Sequence, residues 1–203
     1  VICEQIEDPK DAVGIVKRAV TQIVGPGIPY DLEKADASDH RYIASAHFSD
    51  EFFYLIKIDF TTGTFIGQKF RTVEDFIREL QLISPKEFIT YMGQWDPFPR
   101  IKEQLGQFLN TYLNENYFHT EHTAIYIEKM IPSYQQDKII NQDPGILSPM
   151  GALAYYLTST QSNNDFSHLS PFQFVVEKGM MKITRQTLMG LEILPASRED
   201  YQE

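Results

Sequence analysis

From Phe52 to Phe60 every second residue is apolar: Phe52, Tyr54, Ile56, Ile58 and Phe60, with Lys57 and Asp59 on the opposite face. A period of two predicts a β-strand with one face toward a core. Thr61, Thr62 and Gly63 supply a turn, where glycine is free to take positive φ, and Thr64–Phe70 returns as a second strand. Then the period lengthens. Val73, Phe76, Ile77, Leu80 and Ile83 recur at three and four residues, which predicts an amphipathic helix. Thr72 stands at its N-cap position, Glu74 and Asp75 fall in the positive first turn, and Pro85 follows its end. Lys86–Met92 reads as a strand again. A hairpin followed by a helical crossover builds a mixed sheet with a helix on one face.

The same patterning extends both ways. Upstream, Tyr42–Phe48 predicts a strand that joins the hairpin through Ser49 and Asp50, so three antiparallel strands run in sequence. Earlier still, Val1–Ile6 and Ile15–Val24 read as strands, and Gly25, Pro26 and Gly27 stop the second. The acid-rich run Asp31–His40 reads as a linker, placing a domain boundary near residue 28. Downstream, Ile101, Leu105, Phe108, Leu109 and Tyr112 predict a helix, and Asn116–Phe118 a short fifth strand. A helix from a Thr120 cap to Ile131 turns Ala124, Ile127 and Ile131 inward. Another starts with Ser148 as cap and Pro149 at its first position, carrying Met150, Leu153, Ala154 and Leu157. Phe172–Val176 and Met180–Ile183 predict a hairpin, and a last helix starts near Arg185. Three antiparallel strands, helix, strand and then helices make an α/β layered domain, in the order of ribonuclease-H-like folds.

Composition narrows the function. With 28 acidic against 18 basic residues the net charge is −10, a surface that repels phosphate and argues against a general nucleic-acid binder. The lone Cys3 forms no internal disulfide, which fits a reducing compartment. No apolar run is long enough to span a membrane. The chain opens without Met inside a strand-like run, as expected of a piece of a larger protein.

Asp59, at the turn, is the sharpest chemical candidate. An aspartate on the first strands of a ribonuclease-H-like sheet can bind Mg²⁺, and Thr-Thr-Gly amides can hold phosphate. Two-metal cleavage needs at least two further carboxylates, and the later strands supply none at their ends. The competing reading has Asp59 accept hydrogen bonds from the turn amides and fix the hairpin. His119 and His122 flank the start of the predicted helix around Glu121 and make at most an incomplete zinc site. His40, His47 and His168 have no partner pattern. Cys3 sits in an apolar run with no base nearby, and Lys17 with Arg18 form a lone basic pair. Neither a P-loop nor a His-Glu-x-x-His nor a Gly-x-Ser-x-Gly motif occurs.

Four separated motifs carry a resemblance. The first is Ile2–Pro9, with Val16-Lys17-Arg18 and Ile23–Gly27. The second is Ile58–Phe65, with the helix Val73–Leu82 and then Ser84-Pro85-Lys86-Glu87. The third is Gly151–Leu157 with Thr160-Gln161 and Ser167-His168-Leu169, and the fourth is Thr187 with Leu191-Glu192-Ile193. In this order they resemble the MutS family of DNA mismatch repair proteins. The resemblance implies that residues 1–27 are the tail of a mismatch-recognition domain. Residues 28–182 would be the connector, a ribonuclease-H-like domain without nuclease activity, and residues 183–203 the start of a lever. It implies no catalytic, cofactor or metal residue here; the Phe-x-Glu mismatch reader would precede residue 1 and the ATPase would follow residue 203. ATP and Mg²⁺ would belong to the full-length parent, a dimer in the bacterial cytoplasm at the nucleoid, which meets mismatched DNA through other domains and docks MutL. Gly25 stands where the family has Thr, Thr184 where it has Asp, and Leu188-Met189-Gly190 where it has Arg-Arg-Asn, which marks a divergent member.

Overall fold

The computed structural model describes residues 2–5, 18–22, 40–161 and 166–175, together with 187, 190 and 191. Strands β1 (Ile2–Gln5) and β2 (Arg18–Gln22) pair antiparallel, with Cys3 opposite Val20. The main sheet holds β3 (Tyr42–Ser49), β4 (Phe52–Asp59), β5 (Thr64–Phe70), β6 (Glu87–Tyr91), β7 (Asn110–Leu113) and β8 (Gln173–Val175). Its order is β7-β6-β3-β4-β5-β8. The first three strands run antiparallel, while β3–β6, β6–β7 and β5–β8 are parallel. This is the mixed, ribonuclease-H-like sheet the sequence predicts, with β7 and β8 added at its two edges.

Helices cover both faces of the sheet, not one. α1 (Val73–Ile83) and α2 (Pro99–Leu105) close a core of Ala44, Phe53, Leu55, Phe76, Leu80, Phe88 and Trp95. α3 (Thr120–Met130) and α5 (Leu147–Thr160) close the other, around Ile43, Ile56, Ile58, Ile89, Phe118, Ile127 and Met150. Cover on the α1–α2 face overturns the outward placement of Lys57 and Asp59, which are 9% and 0% exposed. Phe53 and Leu55, on the same side of β4, had already made that face apolar enough to need cover.

Local rules account for each boundary. Thr72 caps α1 by accepting from the Asp75 N–H, and Ser84 ends it in the left-handed conformation at φ 42°. The helix expected through Tyr112 stops at Leu105, because the Asn110 amide donates to the Leu105 and Phe108 carbonyls and turns the chain into β7. Leu109 and Tyr112, expected in a core, are instead 50% and 55% exposed along this edge strand. The strand expected at Asn116–Phe118 is a 3₁₀ turn, because Asn114 accepts from the Asn116 N–H and starts a helical turn there. Thr120 is the first residue of α3 and not its cap; His119 precedes it without a side-chain cap bond. Ser148 likewise lies inside α5, which continues from a 3₁₀ turn at Pro144–Ile146. A short α4 (Lys138–Gln142) is added, capped by Asp137 accepting from the Ile139 and Ile140 N–H groups. The arm Phe172–Val176 becomes β8 and pairs with β5; its expected hairpin partner, the linker before His40 and the helix near Arg185 lie outside the described residues.

Candidate functional site

Asp59 ends β4 and is fully buried. Its Oδ1 accepts from the Thr61 N–H at 2.9 Å, and its Oδ2 accepts from the Thr62 hydroxyl at 3.0 Å and meets His40 Nδ1 at 2.9 Å. Burial pushes its pKa up. The hydrogen bonds from His40, Thr61, Thr62 and the Arg41 backbone outweigh that and hold the carboxyl below the usual range. Gly63, at φ 71°, accepts from the Ser170 N–H at 2.7 Å, and a Cβ on it would stand 2.5 Å from the His168 carbonyl oxygen. Among the described residues no three His, Cys, Asp or Glu side chains cluster as a metal would require. The carboxylate holds the turn, and its oxygens are already engaged by protein donors.

The histidines do not form one site. His119 sits at the N-cap position of α3, and His122, on the first turn, is half exposed with Nε2 3.4 Å from the adjacent Glu121. His47 lies half-buried against the Phe118 ring at 6.0 Å; burial, then the neighbouring His119, lowers its pKa. His168 lies over Phe60 at 5.2 Å. Lys17 lies outside the described residues, and Arg18 pairs with Gln5 in the β1–β2 ladder. No described helix is long and apolar enough to cross a membrane.

What the fold presents to solvent is a set of apolar surfaces. Met92 is 77% exposed, next to the β7 edge that shows Leu109 and Tyr112. On the outer side of α3, Ile125 is 65% exposed and borders a cleft of about 470 Å³ lined by Ala124, Glu128, Lys129, Tyr134 and Gln135.

A family model described as MutS domain II matches residues 41–171. The chain belongs to the MutS family. Among similar proteins, the "DNA mismatch repair protein MutS" of Acetivibrio thermocellus is 31% identical over 206 residues, covering 98% of this chain and 23% of the relative. The protein of the same name from Cytophaga hutchinsonii is 29% identical, covering 97% and 23%. That of Halalkalibacterium halodurans is 30% identical, covering 98% and 22%. This MutS chain thus spans about a quarter of the length of the curated relatives it matches.

Domain II of this MutS chain also carries buried ionic groups that sequence reading missed. Lys57 Nζ on β4 meets Glu79 Oε1 on α1 at 2.6 Å, with both side chains nearly buried. On the other face Glu87 accepts from the Tyr156 hydroxyl at 2.7 Å and from Thr111. Burial, then that bond to Glu87, raises the Tyr156 pKa strongly. The signal for the first pair was available: a lysine between Ile56 and Ile58 in an apolar strand needs a carboxylate on whatever covers it. The positions where this MutS chain departs from the family pattern, Gly25, Thr184, Leu188 and Met189, lie outside the described residues.

Proposed function

We propose that the chain is a non-catalytic connector of a MutS-type mismatch repair protein, relaying between mismatch recognition, the ATPase and the docking of MutL. Residues 28–182 would form the connector, residues 1–27 the tail of the mismatch-recognition domain and residues 183–203 the start of the lever. ATP, Mg²⁺, mismatched DNA and dimerisation would belong to other domains of the full-length parent in the bacterial cytoplasm. The observation that carries this reading is the match to MutS domain II across residues 41–171. Asp59, whose oxygens serve the turn, supports it against a metal nuclease. So does the net charge of −10, which disfavours independent contact with DNA.

The test has two arms. The chain alone is expected neither to turn over ATP nor to prefer mismatched over matched duplex, and clear ATP turnover refutes the reading. It is also expected to bind MutL weakly through the helices between Ile101 and Ile131. Charge reversal at exposed Lys102, Glu121 and Glu128 should change that binding, and an unchanged affinity would remove the helices from the docking surface.

A further inference from the structure

The turn at Thr61–Gly63 touches both ends of the domain. On one side are the residues that open β3: His40 Nδ1 stands 2.9 Å from Asp59 Oδ2, and the Arg41 backbone N–H donates to the same carboxylate. On the other is the segment that leads into β8. The Ser170 N–H donates to the Gly63 carbonyl at 2.7 Å, the His168 ring lies over Phe60, and Gly63 packs against the His168 carbonyl so closely that only glycine fits. None of these contacts is a rung of the sheet. In the sheet itself β3 and β8 are separated by β4 and β5. The family match begins at residue 41 and ends at residue 171, one residue beyond the last of these contacts.

We propose that the Thr61–Gly63 turn is a clasp that holds the first and last segments of the domain against each other, so that a displacement imposed on either is passed to the other. Its stiffness comes from sharing. One buried carboxylate serves the turn, through the Thr61 N–H and the Thr62 hydroxyl, and the first segment, through His40 and Arg41. The path from Arg41 to Ser170 then runs through Asp59, at the end of β4, and Gly63, along a contiguous set of side-chain and turn contacts that are not rungs of the sheet. The clasp rests on the connector reading for its purpose, since a domain set between two others has ends worth coupling.

Amide hydrogen exchange on the full 203-residue chain tests it. Ser170→Pro deletes the N–H given to Gly63, at the last segment. With a clasp, the amides of Arg41–Ile43 and Thr61 exchange about ten-fold faster, while β4 amides from Leu55 to Ile58 keep their protection. Asp59→Asn is the reciprocal variant and should speed exchange at Leu169 and Ser170. If each variant loosens only its own end and the remote end keeps its native rates, the clasp is refuted. Should either variant lose β4 protection, Thr62→Val removes a single exposed hydroxyl; a remote increase of about three-fold is then expected, and none refutes the proposal. No MutL, DNA or nucleotide is present, so this outcome is separate from the assays that decide the connector reading.

Discussion

Lys57 and Glu79 allow a quantitative test of how the second helix layer is held. Their side chains are 11% and 8% exposed and their charged atoms 2.6 Å apart. At an effective dielectric of about 20 this gives a gross attraction of about 6 kcal/mol, from which the desolvation of each ion, several kcal/mol, must be subtracted. The pair is therefore worth little net, whereas either member alone is costly. Glu79→Leu leaves the Lys57 ammonium in an apolar layer with the Tyr42 ring 5.6 Å away. Lys57→Met leaves the Glu79 carboxylate stranded in the same way. Each single change is expected to cost about 3–5 kcal/mol, and the double change Lys57→Met with Glu79→Leu to cost about nothing or to stabilise. A coupling of this size, about 6 kcal/mol or more, is far outside the additivity expected of independent sites. Urea unfolding followed by fluorescence reads it directly, because Trp95 is the chain's single tryptophan and is buried in the core that α1 covers. Single variants that each lose less than about 1 kcal/mol, or a double variant that loses the sum of the two, would refute the reasoning.

Three further outcomes follow from local geometry. Gly151 on α5 faces Thr123 on α3, where an added Cβ would stand 2.1 Å from the buried hydroxyl oxygen and 2.7 Å from its Cβ. Gly151→Ala is expected to cost about 1–3 kcal/mol despite the better helix former, and Thr123→Gly in the same chain should recover part of the loss; a neutral Gly151→Ala in a thermal melt counts against the close helix contact. Asp50 and Glu51 join β3 to β4 with φ of 50° and 67°, the left-handed pair that favours glycine at the second position. Glu51→Gly should therefore raise Tm by about 2–3 °C, and a fall would show that the exposed contact between Glu51 and Arg71 matters more than the backbone. Acidification should weaken the fold in two windows. His47 has a depressed pKa, so its contribution is complete above the unfolded value of about 6.5 and declines as pH falls below it. Asp59 is also depressed, so its contribution is lost as pH falls below about 3.9 and through the folded value. His47→Phe, which keeps the ring against Phe118, should abolish the upper window in a series of Tm against pH, and its persistence would assign it to another group.

Period two along Phe52–Phe60 and period three-to-four along Val73–Ile83 were enough to place the hairpin, the crossover and the helix cap at Thr72. The failures share a cause. Through Tyr112 the apolar residues recur at helical spacing and Asn116–Phe118 reads as a strand, yet two side-chain amides decide the backbone. Asn110 ties itself to the Leu105 and Phe108 carbonyls, and Asn114 to the Asn116 N–H. Such local bonds end a helix in one place and start a helical turn in the other, and hydrophobic spacing does not register them. The second layer was misjudged for a different reason: two charges on β4 were read as a wet face, whereas a carboxylate on α1 makes one of them compatible with burial. Whether a lone charge in an apolar strand faces water is settled by a residue that is distant in sequence.

Asp59 shows the same dependence at the candidate site. Sequence reading placed it correctly at the turn and weighed metal chemistry against a structural role. What favours the structural role is the number of donors already aimed at its oxygens. Three come from Thr61, Thr62 and Arg41, which lie next to it or on the adjacent strand, and His40 adds a fourth contact. A carboxylate that receives this many hydrogen bonds is stabilised as an anion without a cation. Recruiting Mg²⁺ would first require releasing the turn and the start of β3, at about 1.5–3 kcal/mol for each charge-assisted bond. The position that looked most like chemistry is thereby the one most committed to holding the start of β3 and the β4–β5 turn together. That commitment gives domain II a rigid point at which its two ends meet.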